Sequence, residues 1–153
     1  MKTLTDSINE ALKIGKNLSE WSAYSCQPTT NDELEQIIKD RISKEGHNCD
    51  LNDIDTSLIT DMSYLFDESE FNGDISKWDV SKVENMLGMF ARSEFNQDIS
   101  RWDVSKVKNM RWTFRNSEFN QDISKWKISK DCDTSNIFKD CQIKEEYKPK
   151  LLR

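Results

Sequence analysis

The sequence predicts an α/β solenoid of about five 24-residue coils, each built from a short helix and a short strand, with a helical cap at the N-terminus. The main observation is a phrase that occurs three times. Residues 71–81 read FNGDISKWDVS, residues 95–105 read FNQDISRWDVS and residues 119–129 read FNQDISKWKIS. A fixed period of roughly 20–50 residues is typical of a solenoid, in which each unit buries its apolar face against its neighbours.

Two periodicities alternate within each repeat. Residues 83–90 carry Val, Met, Met and Phe at steps of mostly three residues, which predicts a short helix. In the segment that follows, Trp102 and Val104 lie two positions apart, as residues do on one face of a strand, whereas Ile99 does not share their parity. The predicted strand is therefore short or kinked.

Residues 1–33 are predicted to form an N-terminal helix and a linker. Apolar residues at mixed three- and four-residue steps indicate an amphipathic helix over residues 4–22. A second helix follows the linker, with Asn31 or Asp32 as its predicted N-cap and Gly46 at its end.

The second helix already belongs to the repeat. Ile38 takes the position that Met62 has in the next copy, and Ile42 takes that of Phe66. The predicted repeat region is residues 34–153, whose first and last units depart from the repeated phrase and act as caps. The five predicted units are residues 34–57, 58–81, 82–105, 106–129 and 130–153.

Composition and charge disfavour several classes of function. The net charge of −6 disfavours nucleic-acid binding, because a protein that binds the phosphate backbone normally presents a clustered basic face. No segment approaches the ~20 apolar residues of a membrane helix, and charged residues interrupt any apolar core of a signal peptide. We therefore expect no direct contact with nucleic acid or membrane, a cytoplasmic location and a monomer.

The four cysteines are predicted to be reduced thiols that pack in the interior or have no special role. They lie far apart in the sequence and form no CxxC pair. A zinc site is the alternative, since His47 lies near Cys49, but the ligand spacing of a zinc finger or ribbon is missing. No cofactor or metal is predicted. The cysteines are Cys26, Cys49, Cys132 and Cys141.

Stacked coils would convert columns of the sequence into ladders of side chains about 4.8 Å apart. We expect the Asn column to pass hydrogen bonds from coil to coil or to cap a turn. The Asp carboxylates would repel one another unless each accepts backbone N–H or hydroxyl donors, and calcium bound between coils is the alternative. The Asn column is Asn48, Asn72, Asn96 and Asn120, and the Asp column is Asp50, Asp74, Asp98 and Asp122.

The repeated tryptophans are predicted to be core residues, because their equivalent in the first unit is Ile54. Each buried indole N–H should then donate to a carbonyl. A stacking platform for a sugar or a base is the alternative. The column consists of Trp78, Trp102 and Trp126.

Candidate partner-binding residues lie where the copies disagree or face outward. Trp112 takes the position of Tyr64, Gly88 and Asn136, so the architecture does not demand a large apolar residue there. Exposed aromatic residues are enriched in interface hot spots, although single exposed apolar residues are also common. The full candidate set is Trp112, Tyr64, Lys77, Arg101, Lys125, Asp79 and Asp103.

The phrases WDVSKVENMLGMF and WDVSKVKNMRWTF, each followed by SEFNQDIS after a short turn, and the earlier DLNDIDTSLITDMSYLF resemble the BspA-like family of bacterial leucine-rich-repeat surface proteins. The resemblance covers about residues 31–143. It implies a leucine-rich-repeat-like α/β solenoid, a role in binding and no catalytic residues. Larger members are typically secreted or cell-wall proteins associated with adhesion, which implies the cell surface as the alternative location.

These observations favour a non-enzymatic module that binds a protein partner. Small size and net negative charge suggest an alternative, a cytoplasmic inhibitor or decoy of the mobile-element type that blocks a basic, nucleic-acid-handling enzyme. A secreted adhesin is expected if an export route exists. Enzymatic activity is not predicted, because the sequence has one histidine and no nucleophile elbow, phosphate loop or metal motif.

Overall fold

The computed structural model describes residues 24–153. Within them, the regular elements are one α-helix, Asn31–Glu45 (α1), and two short 3₁₀ helices, Glu145–Tyr147 and Lys150–Leu152. The prediction of a solenoid whose coils each contain a helix and a strand is therefore wrong, because the described chain has no β-strand and no helix between residues 46 and 144. The helix predicted over residues 4–22 lies outside the described residues.

Helix α1 has Thr30 as its N-cap. The Thr30 hydroxyl accepts the backbone N–H of Glu33 at 3.2 Å, and the Glu33 carboxylate accepts the backbone N–H of Thr29 at 2.8 Å. This reciprocal pair is a close variant of the capping box and satisfies donors that a helix start leaves unpaired. The predicted cap at Asn31 or Asp32 is wrong by one or two positions, because both residues already lie in the first turn.

Gly46 ends α1, as predicted. Its φ of 89° suits a residue without a Cβ, and its N–H donates to the carbonyl of Ile42 at 2.8 Å. The helix contacts the repeat at residues 58–81 through Asn31, whose side-chain amide donates to the carbonyl of Ser63 at 3.1 Å. The buried residues of α1 are Leu34, Ile37 and Ile38. No helix in residues 24–153 has the length and apolar character needed to cross a bilayer.

The segments predicted as repeat helices are runs of overlapping turns. In residues 62–69, the N–H groups of Leu65, Asp67 and Ser69 each donate to the carbonyl three residues earlier, at 3.1–3.4 Å. The N–H groups of the even-numbered residues in this run donate to the following repeat instead, all at 2.9 Å. Residues 62, 64, 66 and 68 donate to the carbonyls of residues 85, 87, 89 and 91. An α-helix would use these donors internally.

The same four-bond pattern joins the next repeats. Residues 86, 88, 90 and 92 donate to the carbonyls of residues 109, 111, 113 and 115 at 2.8–2.9 Å. Residues 110, 112, 114 and 116 donate to those of residues 133, 135, 137 and 139 at 2.8–3.2 Å. Only isolated parallel bridges form alongside these bonds in the described chain, at Asp61–Asn85, Asn85–Asn109 and Asn109–Asp133.

Left-handed backbone prevents the turn runs from being helices or strands. Two positions in each run have φ between 54° and 60°. Helical and extended residues both have negative φ, so a left-handed residue at every fourth position interrupts either structure. Apolar residues at short, regular steps are still buried in the runs, which is why the pattern indicated a helix. The left-handed residues are Tyr64, Glu68, Gly88, Arg92, Trp112, Asn116, Asn136 and Asp140.

Columns of stacked aromatic rings form the core. Ring centroids are 5.5 Å apart between Phe66 and Phe90 and between Phe90 and Phe114, and the rings are within 8° of parallel. A second column, Phe71, Phe95 and Phe119, has centroids 6.3 Å apart. Burial of each of these large rings stabilises the stack, and offset stacking adds about 0.5–1.5 kcal/mol per pair.

The tryptophan prediction is confirmed. The three repeated tryptophans are only 4–6% exposed. Each indole N–H donates to a main-chain carbonyl of the preceding repeat. The acceptors of Trp78, Trp102 and Trp126 are Leu51, Ile75 and Ile99, at 2.9, 3.3 and 3.1 Å.

The asparagine prediction is confirmed for three of its four members. A side-chain oxygen accepts the backbone N–H of the residue 24 positions on. Asn72, Asn96 and Asn120 accept from Asn96, Asn120 and Lys144 at 2.9, 2.8 and 3.1 Å. Asn48 does not take part, because the N–H of Asn72 donates to the main-chain carbonyl of His47 at 2.9 Å.

Every carboxylate of the Asp column accepts the backbone N–H two residues on, at 2.8–2.9 Å. The backbone N–H and hydroxyl of Ser100 lower the pKa of Asp98 below its ordinary value. The hydroxyl and N–H of Ser124 do the same for the pKa of Asp122. In residues 24–153 no three His, Cys, Asp or Glu side chains are grouped so that they could hold a metal ion.

Acid should destabilise the protein through these turns. The folded pKa of Asp98 and Asp122 lies below the ordinary unfolded value of about 3.9, so the unfolded chain binds more protons. The stabilisation is present above the unfolded pKa and is lost as the pH falls through the folded pKa. Circular-dichroism melts should give a constant Tm between about pH 7 and pH 5 and a lower Tm at about pH 3. An unchanged Tm at the lowest pH would contradict this expectation.

Gly73→Ala should destabilise the protein more than Gly46→Ala. A Cβ at Gly73 would lie 2.0 Å from the carbonyl oxygen of Cys49 and 2.7 Å from the ring of Phe71, so main chain must shift. A Cβ at Gly46 would meet nothing within 4 Å, so the cost there is the roughly 1–3 kcal/mol of a side chain at φ 89° and ψ 172°, a region essentially restricted to glycine. Urea denaturation should show a loss of more than about 3 kcal/mol for Gly73→Ala, and this loss should exceed that of Gly46→Ala. Equal losses in the two variants would refute the clash.

Candidate functional site

Tyr64 and Trp112 occupy one column of the turn runs, together with Gly88 and Asn136. All four residues have left-handed backbone, with φ between 55° and 60°. Gly and Asn tolerate this conformation, whereas a bulky side chain costs about 1–2 kcal/mol there. The fold therefore does not require aromatic residues in this column, yet two of the four residues of the column are aromatic.

Tyr64 is 44% exposed and lies over the neighbouring repeat. Its ring covers Gly88 so closely that a Cβ on the glycine would come within 2.6 Å of the ring. Gly88 thus makes room for Tyr64 as well as accepting the left-handed backbone. Part of the Tyr64 side chain packs on the fold, and the rest faces solvent.

Trp112 is half-buried and lies outside the buried core. Two cations lie near its ring: the guanidinium of Arg111 at 5.0 Å from the ring centroid and that of Arg115 at 5.8 Å. Guanidinium groups at this distance are attracted electrostatically by the indole π-system. The sequence interpretation identified Trp112 but missed the two arginines. The available signal was their closeness in sequence, since Arg111 directly precedes Trp112 and Arg115 follows it by three residues.

The two arginines near Trp112 have few anionic partners. Arg111 has one loose ion pair, with its Nε 3.7 Å from Asp133. Within residues 24–153, Arg115 makes no ion pair, and its buried Nε has no hydrogen-bond partner. Arg92 differs, since it contacts the carboxylates of Asp67 at 2.6 Å and Glu68 at 2.8 Å.

The other candidate residues lie in a different segment of the repeat. Lys77, Arg101 and Lys125 are exposed, at equivalent positions of consecutive repeats. Asp79 and Asp103 are also exposed, and each caps a turn by accepting the backbone N–H two residues on, at 2.9 and 3.1 Å. Among the described residues, no hydrogen bond or ion pair joins this set to the column of Tyr64 and Trp112.

An open groove of about 400 Å³ is lined in part by Lys106, Lys108, Ser129 and Cys132. Lys108 is paired with Glu84 at 2.7 Å. Burial raises the pKa of the Cys132 thiol to about 11, so at neutral pH this cysteine is protonated and is a poor nucleophile. The groove therefore offers polar contacts without an activated nucleophile at Cys132.

All four cysteines are free thiols, in agreement with the sequence prediction. Burial raises the pKa of each of them above its ordinary value. The structure thus gives each thiol a low thiolate fraction, which is typical of cysteines that pack rather than react.

Thiol alkylation should depend on folding. At about pH 8, a thiol with a pKa of about 11 has roughly one thousandth of its population as thiolate. Native Cys132 should therefore react with iodoacetamide much more slowly than the same residue in urea, as mass spectrometry of the alkylated peptide would show. Equal native and denatured rates for that peptide would contradict the predicted burial effect.

Comparison with known proteins gives a family. No curated protein matches the chain, and no solved structure matches it. Residues 33–149 match a family model described as "Mycoplasma protein of unknown function, DUF285". The matched range includes all but the first two residues of α1, all the turn runs and the column that holds Tyr64 and Trp112. Because this range covers well over half of the sequence, the chain belongs to the DUF285 family.

Proposed function

We propose that this protein is a non-enzymatic, BspA-like module that binds a protein partner through the surface around Tyr64 and Trp112. The observation that supports this proposal is the presence of two aromatic side chains at left-handed positions where the same chain also uses Gly88 and Asn136. Strained positions are retained where the surrounding structure holds them, and they concentrate at functional sites.

Exposure supports a binding function for this column. Tyr64 is among the few exposed large hydrophobic residues of the described chain, and Trp112 is half-buried, so both present aromatic surface to a partner. Tyrosine, tryptophan and arginine are the residue types enriched in interface hot spots. Here Tyr64 and Trp112 lie in one column, and Arg111 and Arg115 lie against the latter.

The repeat also gives these aromatic residues a rigid base. The N–H of Tyr64 donates to the carbonyl of Leu87 at 2.9 Å, and the N–H of Trp112 donates to that of Ser135 at 3.2 Å. Both residues are therefore held by main-chain bonds to the next repeat. A rigid aromatic anchor loses less conformational entropy on binding than a mobile one.

Trp112→Asn should abolish binding and leave the fold intact. Asn occupies the equivalent position at residue 136, with a φ of 55°, so it suits the backbone conformation at residue 112. We expect a Tm within about 2 °C of the wild type, or higher, because the substitution relieves strain. Capture of partners from native cells, quantified by mass spectrometry, should show the specific partner with the wild type and its loss with Trp112→Asn.

Leu58→Asn is the matched control, since Leu58 is an exposed apolar residue outside the Tyr64 and Trp112 column. It should retain the partner at the wild-type level. Retention of the same partners by Trp112→Asn, with an unchanged Tm, would refute the proposed surface. A fall in Tm of many degrees would show that Trp112 supports the fold instead.

A further inference from the structure

Charge is distributed unevenly along the repeats. Residues 58–81 contain six Asp or Glu and one Lys or Arg. Residues 106–129, which include Trp112, contain two Asp or Glu and six Lys or Arg. The chain therefore contains a basic repeat although its net charge is −6. A locally positive surface attracts anions at short range even when the molecule is acidic overall, because salt screens distant charges.

The two arginines beside Trp112 carry hydrogen-bond donors that suit anion recognition. The guanidinium carbons lie 5.0 and 5.8 Å from the ring centroid, so the indole makes a cation–π contact with both groups. A guanidinium held against an aromatic ring keeps N–H donors at its edge, and these donors match the two oxygens of a carboxylate. Within residues 24–153 the protein supplies only the loose contact of Arg111 with Asp133.

The next repeat extends the positive surface. Lys139 is the equivalent of Arg115 in that repeat, and its side chain is exposed. Its backbone carbonyl accepts a hydrogen bond from the N–H of Asn116 at 2.9 Å. Three cationic side chains, Arg111, Arg115 and Lys139, therefore come from two adjacent turn runs. The two repeats are joined at the Asn109–Asp133 parallel bridge, where paired main chains lie about 4.8 Å apart, so one extended segment can reach both repeats.

We propose that the Arg111, Trp112 and Arg115 surface binds an acidic segment of a partner protein, a run rich in Asp and Glu. This inference rests on the proposed function and specifies the chemistry of the partner. The carboxylates would accept hydrogen bonds from the two guanidiniums, and the apolar part of the segment would contact the exposed part of the Trp112 side chain.

An acidic peptide fits this surface better than a nucleic acid does. A base needs an open aromatic face on which to stack, whereas two guanidiniums lie against the Trp112 ring. A long polyanion would also meet the acidic repeat at residues 58–81. A short acidic segment satisfies the arginines without extending into that region.

The test uses a short, fluorescein-labelled poly-glutamate peptide, with poly-glutamine of the same length as the neutral control. Fluorescence anisotropy should show that the full chain binds poly-glutamate, binds poly-glutamine much more weakly, and loses affinity as salt is added. The double variant Arg111→Gln/Arg115→Gln should weaken poly-glutamate binding by at least about tenfold, because charge-assisted hydrogen bonds are lost. Unchanged circular-dichroism melts would show that the variant is folded.

Lys82→Gln/Lys130→Gln is the matched control, since it also removes two positive charges, and these exposed lysines lie against no aromatic ring in the described chain. It should bind poly-glutamate like the wild type. An equal loss in Lys82→Gln/Lys130→Gln would overturn the proposal by showing a general charge effect. So would the absence of poly-glutamate binding at low salt, or tighter binding of a single-stranded oligonucleotide at the same arginines.

Failure of this inference is distinguishable from failure of the proposed function. If Trp112→Asn loses the captured partner while poly-glutamate does not bind, the surface binds a protein of different chemistry and only the acidic specificity is wrong. If Trp112→Asn keeps its partner and poly-glutamate does not bind, both proposals are wrong.

Discussion

The structure depends on how the backbone N–H groups of each turn run are shared. Alternate donors close turns within the run, and the remaining donors cross to the following repeat at 2.8–3.2 Å. Because buried main-chain groups need partners, a single run satisfies only half of its donors and is completed by its neighbour. Four bonds of this kind join each of three pairs of runs in the described chain, and α1 packs at the start of the series. The aromatic columns then fill the space that this spacing creates.

Left-handed backbone is the local consequence of that sharing, and it separates structural residues from candidate functional ones. Gly88 and Asn136 suit their position, whereas Tyr64 and Trp112 have the same φ at an energetic cost. The aromatic residues also differ in surroundings: Tyr64 packs over a glycine, while Trp112 carries two guanidiniums with few anionic partners. The surface around Trp112 therefore combines aromatic contact with available positive charge, inside a protein whose net charge is negative.

Much of the interior could be predicted from the sequence because the period places equivalent residues next to one another. The burial of the repeated tryptophans, their indole hydrogen bonds and the asparagine ladder follow from comparing copies. The candidate site was predictable only in part. Trp112 stood out as an exception among the copies, but the proximity of Arg111 and Arg115 depends on side-chain positions in a turn conformation that the sequence pattern did not indicate. The constraint on Gly73, set by the carbonyl of Cys49, is likewise a contact between repeats.

The sequence by itself determined the 24-residue period, the buried columns and the helix that precedes them, because these depend on which residue types recur and at what spacing. Only the tertiary structure decided the backbone conformation of each repeat. Apolar residues at short, regular steps are compatible with a helix and also with a run of turns, so the pattern in residues 83–90 did not distinguish the two. The neighbouring repeat decides between the two. Because its carbonyls accept every second N–H of the run, these donors are not available for helical bonds, and turns with left-handed residues form instead.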